Sequence, residues 1–545
     1  MTINNKAGHP INKNDLPDIN VLITSYYKNK PNMNNPSEHV IFGTSGHRGT
    51  SILNSFTESH ILAISQSICD YRKKNNINGP LFLGKDTHAL SMPAEKTALQ
   101  VFSKNNVKVM IDEKHGYTPT PVISHAILEY NRKVENKADG VIITPSHNPP
   151  IDGGIKYNPP HGGPADTTAT NWIAKRANEL LLNNNKGVKF YDYETALDSS
   201  YICKYDYKTP YVDDLENVID MQCIHKSNLR ICADAMGGSG LRYWKAIKEK
   251  YKLDIEIRND QADPTFSFMS YDHDGKIRMD CSSPYAMAGL IDLKDKFDIA
   301  FGNDPDFDRH GIIAPSVGLL NPNHFLSVAI HYLFNNRPNW SKNLAIGKTL
   351  VSSSLIDRIA EEINHSLMES PVGFKWFVNG LYNGDYGFGG EESAGASFLR
   401  MNGNVWSTDK DGIILALLAC EICAKTKKDP GEYYKEITQQ HGIPFYARID
   451  ASATLEQKRK LLEVSVDDIK VKVLGGEKII NKLTHAPANG EPINGIKILT
   501  KNGWFAARPS GTEELYKIYA ESFISLDHLA MIQEEAKAII ANTIK

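Results

Sequence analysis

The segment NDPDFDRHG, Asn303 to Gly311, carries three carboxylates at alternate positions, Asp304, Asp306 and Asp308. In extended chain alternate side chains point the same way, so all three are expected to converge on one cation. Oxygen donors of this kind select magnesium, manganese or calcium over zinc. An EF-hand is excluded by spacing: its sixth position falls on Arg309 and its twelfth on Pro315, where glycine and glutamate are needed. A solvated acidic turn is the plainer alternative, but three like charges this close repel and call for a counter-ion. Arg309 either supplies part of that compensation or reaches an anionic ligand.

Three further loops carry polar groups in unusual density. RPSGT presents Arg508, Ser510, Gly511 and Thr512, a guanidinium, two hydroxyls and unhindered backbone N–H groups, which suit a phosphate. GFGGEESAG places Glu391, Glu392 and Ser393 at a strand end, where they suit sugar hydroxyls or cap a helix. FGTSGHRGTS presents Arg48 from a tight glycine turn. Ser146 lies in ITPSHNPPIDGGIKYN, expected as an exposed loop after a buried strand, with His147 beside it and Lys156 ten residues on. It is not within G-x-S-x-G, so a nucleophile elbow is not indicated. His147 is expected to diverge from it, as neighbours in extended chain do. Joined to a phosphoryl group, this serine would gain about -1.5 to -2 charges and need a divalent cation and basic neighbours.

The elements that must position these loops read as α/β layers. Apolar runs such as GPLFLGKDT, VKVMIDE, GVIITPSHN, LRICADAMGGSG, LDIEIRND, FDIAFGND, LAIGKTLVSS and YGFGGEES alternate with helical patterns such as SHILAISQSICDYRKKN, PYAMAGLIDLKDKF and HFLSVAIHYLFNNR. Such alternation indicates largely parallel sheets, whose ligands gather beyond the strand C-termini. At 545 residues the chain is long enough for several domains, and composition breaks suggest four: 1–205, 206–320, 321–440 and a smaller α+β unit, 441–545. The formal net charge of -3 leaves no basic excess for nucleic acid or an anionic membrane. The polar start MTINNKAGHP has no secretory h-region, and GIILALLACEICA is too short to span a bilayer. Seven scattered cysteines, with Cys420 and Cys423 read as helix core, fit reduced thiols and a cytoplasmic location.

TPSHNPPIDGGIKYN, NDPDFDR, GEESA and RPSGT, in this order, resemble the four signature loops of the α-D-phosphohexomutase family. FGTSGHRG, GKDTHALS, VGFKWFVNGL and NGWFAARPSGTE extend the likeness over the whole chain, toward the glucose-specific bacterial members. The resemblance implies three related α/β domains and a smaller fourth around a central cleft. It implies that Ser146 is the phosphoserine and that Asp304, Asp306 and Asp308 bind Mg2+ together with it. Glu391 and Ser393 would contact sugar hydroxyls, and Arg508, Ser510, Gly511 and Thr512 would clamp the non-reacting phosphate. Arg48, His147, Lys156, Arg309 and Lys375 would line the reaction centre. Where some relatives have threonine before the glycine of the third-domain loop, this chain has Val372 before Gly373, which puts a hydroxyl contact there in doubt.

The activity so implied interconverts glucose 1-phosphate and glucose 6-phosphate through glucose 1,6-bisphosphate, which is both intermediate and activator. Small sugar phosphates are the expected partners, with a monomer or weak homodimer as the assembly. Lys156 and His147 are the candidate general bases; the lysine is favoured because cationic neighbours and desolvation would lower its pKa. A mutase acting on mannose or glucosamine phosphates is the alternative within the family. Outside it stand an aspartate-nucleophile phosphatase, disfavoured by Asp308 where that motif has Thr or Val, and a silent sugar-phosphate binder.

Overall fold

The computed structural model describes residues 3–43, 46–509 and 515–544. Four principal sheets form along the chain, and the fold is multidomain α/β. In the first, the spatial order is His47–Thr50, Asp152–Asn158, Asp139–Ile143, Leu81–Lys85, Val109–Asp112, Ile202–Tyr205. The second runs Gly318–Leu319, Gly311–Ala314, Ile299–Gly302, Ile231–Asp234, Ile255–Arg258. The third runs Leu367–Ser370, Ala345–Thr349, Tyr386–Glu391, Gly395–Phe398. Their central strands are parallel and buried at nearly every position, as strands covered by helices on both faces must be.

One device recurs in all three. The last parallel strand reverses into an antiparallel neighbour: Asp139–Ile143 into Asp152–Asn158, Ile299–Gly302 into Gly311–Ala314, and Tyr386–Glu391 into Gly395–Phe398. The polar loops around Ser146, Asp304 to Asp308 and Ser393 are these three reversals. The fourth sheet is wholly antiparallel, in the order Phe445–Ser452, Leu515–Ser522, Gly503–Pro509, Pro492–Leu499, Asn481–His485. One face carries Phe505, Ala507, Ile518 and Ala520, packed with Leu529, Ile532 and Ile540 of the helix Leu526–Thr543. The other docks Trp504, Ala506 and Tyr519 on Leu350 and Val351, beyond the third sheet. Lys497 and Glu369, both buried, form an ion pair across this joint (2.9 Å).

The pattern PYAMAGLIDLKDKF, residues 284–297, does not form the helix its apolar spacing suggests. Only Ala288–Ile291 is α-helical, with a 3-10 turn at Lys294–Lys296. Upstream, the Ser283 hydroxyl accepts from the Tyr285 and Ala286 N–H groups and donates to Asp272, while Asp280 accepts from Ser282. Such local side-chain bonds compete with a helical ladder.

The apolar helix Gly412–Thr426 is buried all round, between strands of the second and third sheets and the helices Met221–Ser227 and Pro322–Asn336. Its burial encloses Glu421, whose carboxylate accepts from Arg337 Nη1 (2.7 Å) and Nη2 (3.0 Å), the Tyr332 hydroxyl (2.9 Å) and the Asp220 N–H (2.9 Å). Arg337→Met strips two donors from a fully buried charge and should destabilise by about 3 kcal/mol or more. Adding Glu421→Leu should restore much of that loss. Urea unfolding of the wild type and both variants measures it.

Candidate active site

Ser146 leaves the strand Asp139–Ile143 with φ 60°, in the left-handed region rather than in extended chain. Its N–H donates to Thr144 Oγ1 (2.8 Å), and Thr144 in turn donates to buried Asp86 (2.6 Å). This turn corrects two expectations. Ser146 is only 1% exposed, because the second sheet's loop covers it, and its Oγ comes within 3.4 Å of His147 Nδ1 instead of diverging. The Ser146 hydroxyl donates to Asp304 Oδ2 (2.7 Å), joining the first and second loops.

The three aspartates converge as expected, but by a different geometry. The loop is a turn: the Phe307 N–H donates to Asp304 O (2.8 Å), and Phe307 takes φ 62°. The Phe307 ring is buried against Gly240, where a Cβ would lie 2.1 Å from it, so glycine is required there. With the ring turned inward, the carboxylates at 304, 306 and 308 offer oxygen atoms all within 4.8 Å of one another.

Countercharge comes from other sheets. Lys156 Nζ lies 2.6 Å from Asp306 Oδ2 and 3.0 Å from Asp308 Oδ2. Lys410 Nζ is 3.2 Å from Asp308 and 3.8 Å from Glu391. The Thr120 hydroxyl donates to Asp306 Oδ2 (2.6 Å). Burial, then the charges of Asp306 and Asp308, push the Asp304 carboxyl well above the usual range. Burial acts on Asp308 in the same sense, but Lys156, Lys410 and Arg309 together hold it well below.

Lys156 overturns the expectation of a lowered pKa. Burial would lower it, yet Asp306, Asp308 and Asp409 together raise it above the ordinary lysine value. His147 moves the other way: burial first, then Arg309, lower it to about 3. The imidazole is neutral and the ammonium is held charged. Asp306 Oδ1 and Asp308 Oδ1 are buried and accept no hydrogen bond from described residues. Bare, hard oxygens within a carboxylate cluster whose crowding already resists ionisation of Asp304 fit a divalent cation such as magnesium.

A cavity of about 450 Å³ adjoins this cluster through His147, Arg309 and Lys410, while Ser146, Lys156 and the three aspartates are not among its lining residues. Arg48, His147, Arg309, Glu391 and Ser393 line it, five of the residues singled out from sequence, and so does Val372. Burial raises Glu391 to about 7. Lys375 is not among the lining residues; its Nζ donates to Thr167 Oγ1 (2.6 Å). Nor is Arg508, whose Nε donates to Ile493 O (3.1 Å). Ser510, Gly511 and Thr512 lie outside the described residues.

The cavity also gathers residues that no motif flagged: Lys410, Asp280, Tyr446, Arg448, Lys517 and Tyr519. Lys410 had a usable signal, a cation between two aspartates directly before an apolar helix. Burial acts to raise the Asp280 carboxyl, but neighbouring positive charge, Arg309 included, holds it below the ordinary value. Its segment is tied to the serine loop where the Met279 N–H donates to His147 O (3.2 Å).

Four family models match the chain: Phosphoglucomutase/phosphomannomutase alpha/beta/alpha domain I over residues 39–183, domain II over 209–317, domain III over 321–441, and the C-terminal domain over 455–539. A phosphoglucomutase of Komagataeibacter xylinus is 58% identical over 536 residues, covering 98% of this chain and 97% of its own. Phosphoglucomutase 1 of Saccharomyces cerevisiae is 28% identical over 432 residues, covering 72% of this chain and 71% of its own. Among solved structures, the Paramecium phosphoglucomutase pp63/parafusin in its open form superposes with a TM-score of 0.74 at 21% identity, covering 94% of this chain and 95% of its own. At that identity the likeness speaks for the fold.

The triad's chemistry yields a test with two opposite signs. With manganese as probe, Asp306→Asn should weaken binding at least about tenfold, because a donor is lost. Lys156→Met should tighten it, because a competing ammonium leaves two carboxylates. Titration calorimetry on folded variants reads both.

Proposed function

The chain belongs to the phosphoglucomutase/phosphomannomutase family, and on that premise we propose that it interconverts glucose 1-phosphate and glucose 6-phosphate at this cavity. It is an enzyme, an isomerase that works by phosphoryl transfer. The observation that carries the site assignment is the Ser146 hydroxyl, 2.7 Å from Asp304 within a buried carboxylate triad. In our reading the division of labour follows the chain: phosphoserine loop in 1–205, metal loop in 206–320, sugar loop in 321–440, phosphate loop in 441–545.

Ser146 carries the phosphoryl group in the active form. Its P–Oγ bond breaks as a new P–O bond forms to the free sugar hydroxyl, giving glucose 1,6-bisphosphate. The bisphosphate turns end for end, and Ser146 takes back the other phosphoryl group. Of the two candidate bases, Lys156 stays protonated on two carboxylates, which leaves His147, 3.4 Å from Ser146 Oγ, to accept the sugar hydroxyl proton. Arg48 and Arg309, which line the cavity with His147, orient the transferring group, and Glu391 and Ser393 bind the sugar. Asp304, Asp306, Asp308 and phosphoserine would hold magnesium, which would supply positive charge against the phosphoryl oxygens. Arg508 with Ser510, Gly511 and Thr512 holds the distal phosphate. The seven free cysteines agree with a cytoplasmic enzyme, and among the described residues no helix is long and apolar enough to cross a membrane.

Intact-mass measurement with peptide mapping tests the reading. Part of the isolated protein should carry one phosphoryl group on Ser146, and Ser146→Ala should abolish turnover of glucose 1-phosphate. A base-labile acyl phosphate on Asp304 would replace the mutase with an aspartate-nucleophile phosphatase.

A further inference from the structure

The fourth sheet faces the cavity with more charge than its loop motif accounts for. Strand register places side chains in rows across three strands. Tyr446, Glu521 and Trp504 form one row, Arg448, Tyr519 and Ala506 the next, and Asp450, Lys517 and Arg508 the last. Paired residues share a face, and so do positions two apart along a strand, so all nine side chains lie on one side. The first row docks on the neighbouring domain: the Tyr446 hydroxyl donates to Val351 O (3.0 Å), and Trp504 packs with Leu350 and Val351. Along the same face the rows turn from apolar to cationic, and Arg448, Lys517 and Tyr519 line the catalytic cavity itself.

Arg448 is the guanidinium among these. Its side chain is 40% exposed and lines the cavity, with one ion pair among the described residues, Nε to Asp450 Oδ1 at 3.4 Å. That approach is too loosely oriented to be a hydrogen bond: both Asp450 oxygens are buried and accept none from the described residues. A purely structural Arg–Asp pair is normally a close fork with parallel N–H···O bonds. Here the guanidinium keeps its fork for something else. The row beyond it holds Arg508, which the family likeness makes a clamp for the substrate's distal phosphate.

We propose that Arg448 is a second guanidinium contact for the non-reacting phosphate of the sugar ligand, reaching it from the strand Phe445–Ser452. This rests on the mutase reading above. A phosphate oxygen pair gives the guanidinium the two acceptors that Asp450 does not. The contact persists whichever end of the sugar faces Ser146, because one phosphate is always distal. It is also made alike in ground and transition states, so it acts on binding more than on turnover.

Steady-state kinetics on Arg448→Met and Arg448→Lys, with inorganic phosphate as competing probe, tests this. Arg448→Met should raise KM for glucose 1-phosphate and glucose 6-phosphate by a similar factor, at least about tenfold, with kcat changed far less. The inhibition constant of inorganic phosphate should rise in parallel, and lysine should rescue only part of the loss. Asp450→Asn, which removes a nearby anion while leaving the guanidinium, should lower KM. If Arg448→Met folds poorly, the lysine and Asp450→Asn variants still decide. Unchanged KM and phosphate inhibition in variants of an active wild type would overturn the proposal alone. A wild type without mutase turnover would overturn the reading on which it rests.

Discussion

Three carboxylates buried within 4.8 Å of one another are the constraint around which this molecule closes. Two like charges about 4 Å apart repel by about 4 kcal/mol at a protein-like effective dielectric. No single segment could hold the triad alone. Its ammonium partners come from elsewhere: Lys156 on the first sheet's antiparallel strand and Lys410 in the turn before the helix Gly412–Thr426. Assembling the charge cluster therefore requires the first three sheets to meet. The same requirement explains the opposed states of Lys156 and His147. The lysine sits on the anions and keeps its proton; the imidazole faces burial and Arg309 and loses its own.

The repeated strand reversal supplies the geometry. A parallel strand that turns back on itself at the sheet's C-terminal end presents a loop with both ends anchored, so its polar groups are held rather than trailing. Three sheets use the device once each, and the antiparallel fourth places the Arg508 segment between two of its own strands. Left-handed backbone at Ser146 and Phe307 finishes the placement by swinging a hydroxyl and a carboxylate set toward a common point. Phe307 anchors its turn by filling the space above Gly240.

The joint between the third and fourth domains has a graded face. Near Trp504 it is apolar and docks on Leu350 and Val351; further along it becomes cationic where Arg448 and Lys517 meet the cavity. A single sheet face thus serves as both attachment and cavity wall. In the interior, Glu421 joins the segments of Arg337, Tyr332 and Asp220 with four donors, so an internal charge also helps fix how the second and third domains abut.

Much of this was legible in residue order. The α/β layering showed in the alternation of apolar strand runs and helical patterns, and the loops carrying Ser146, the aspartates, Glu391 and Arg508 were visible from their polar chemistry, since both are encoded over short stretches. The helix anticipated over 284–297 failed because local hydroxyl and carboxylate bonds outweighed its apolar spacing. Local patterns also misjudged how the triad converges and how Ser146 meets His147, because a single left-handed residue reverses a side chain's direction without changing composition. Lys410, Asp280 and Arg448 entered the cavity unannounced. Their importance lies in contacts across space, as Lys156 and Asp306 meet over 150 positions of sequence. The sequence by itself determined which groups could do the chemistry and which strands carry them. Only the tertiary structure decided their charge states and partners, because burial and Coulomb forces depend on distances that chain order does not contain.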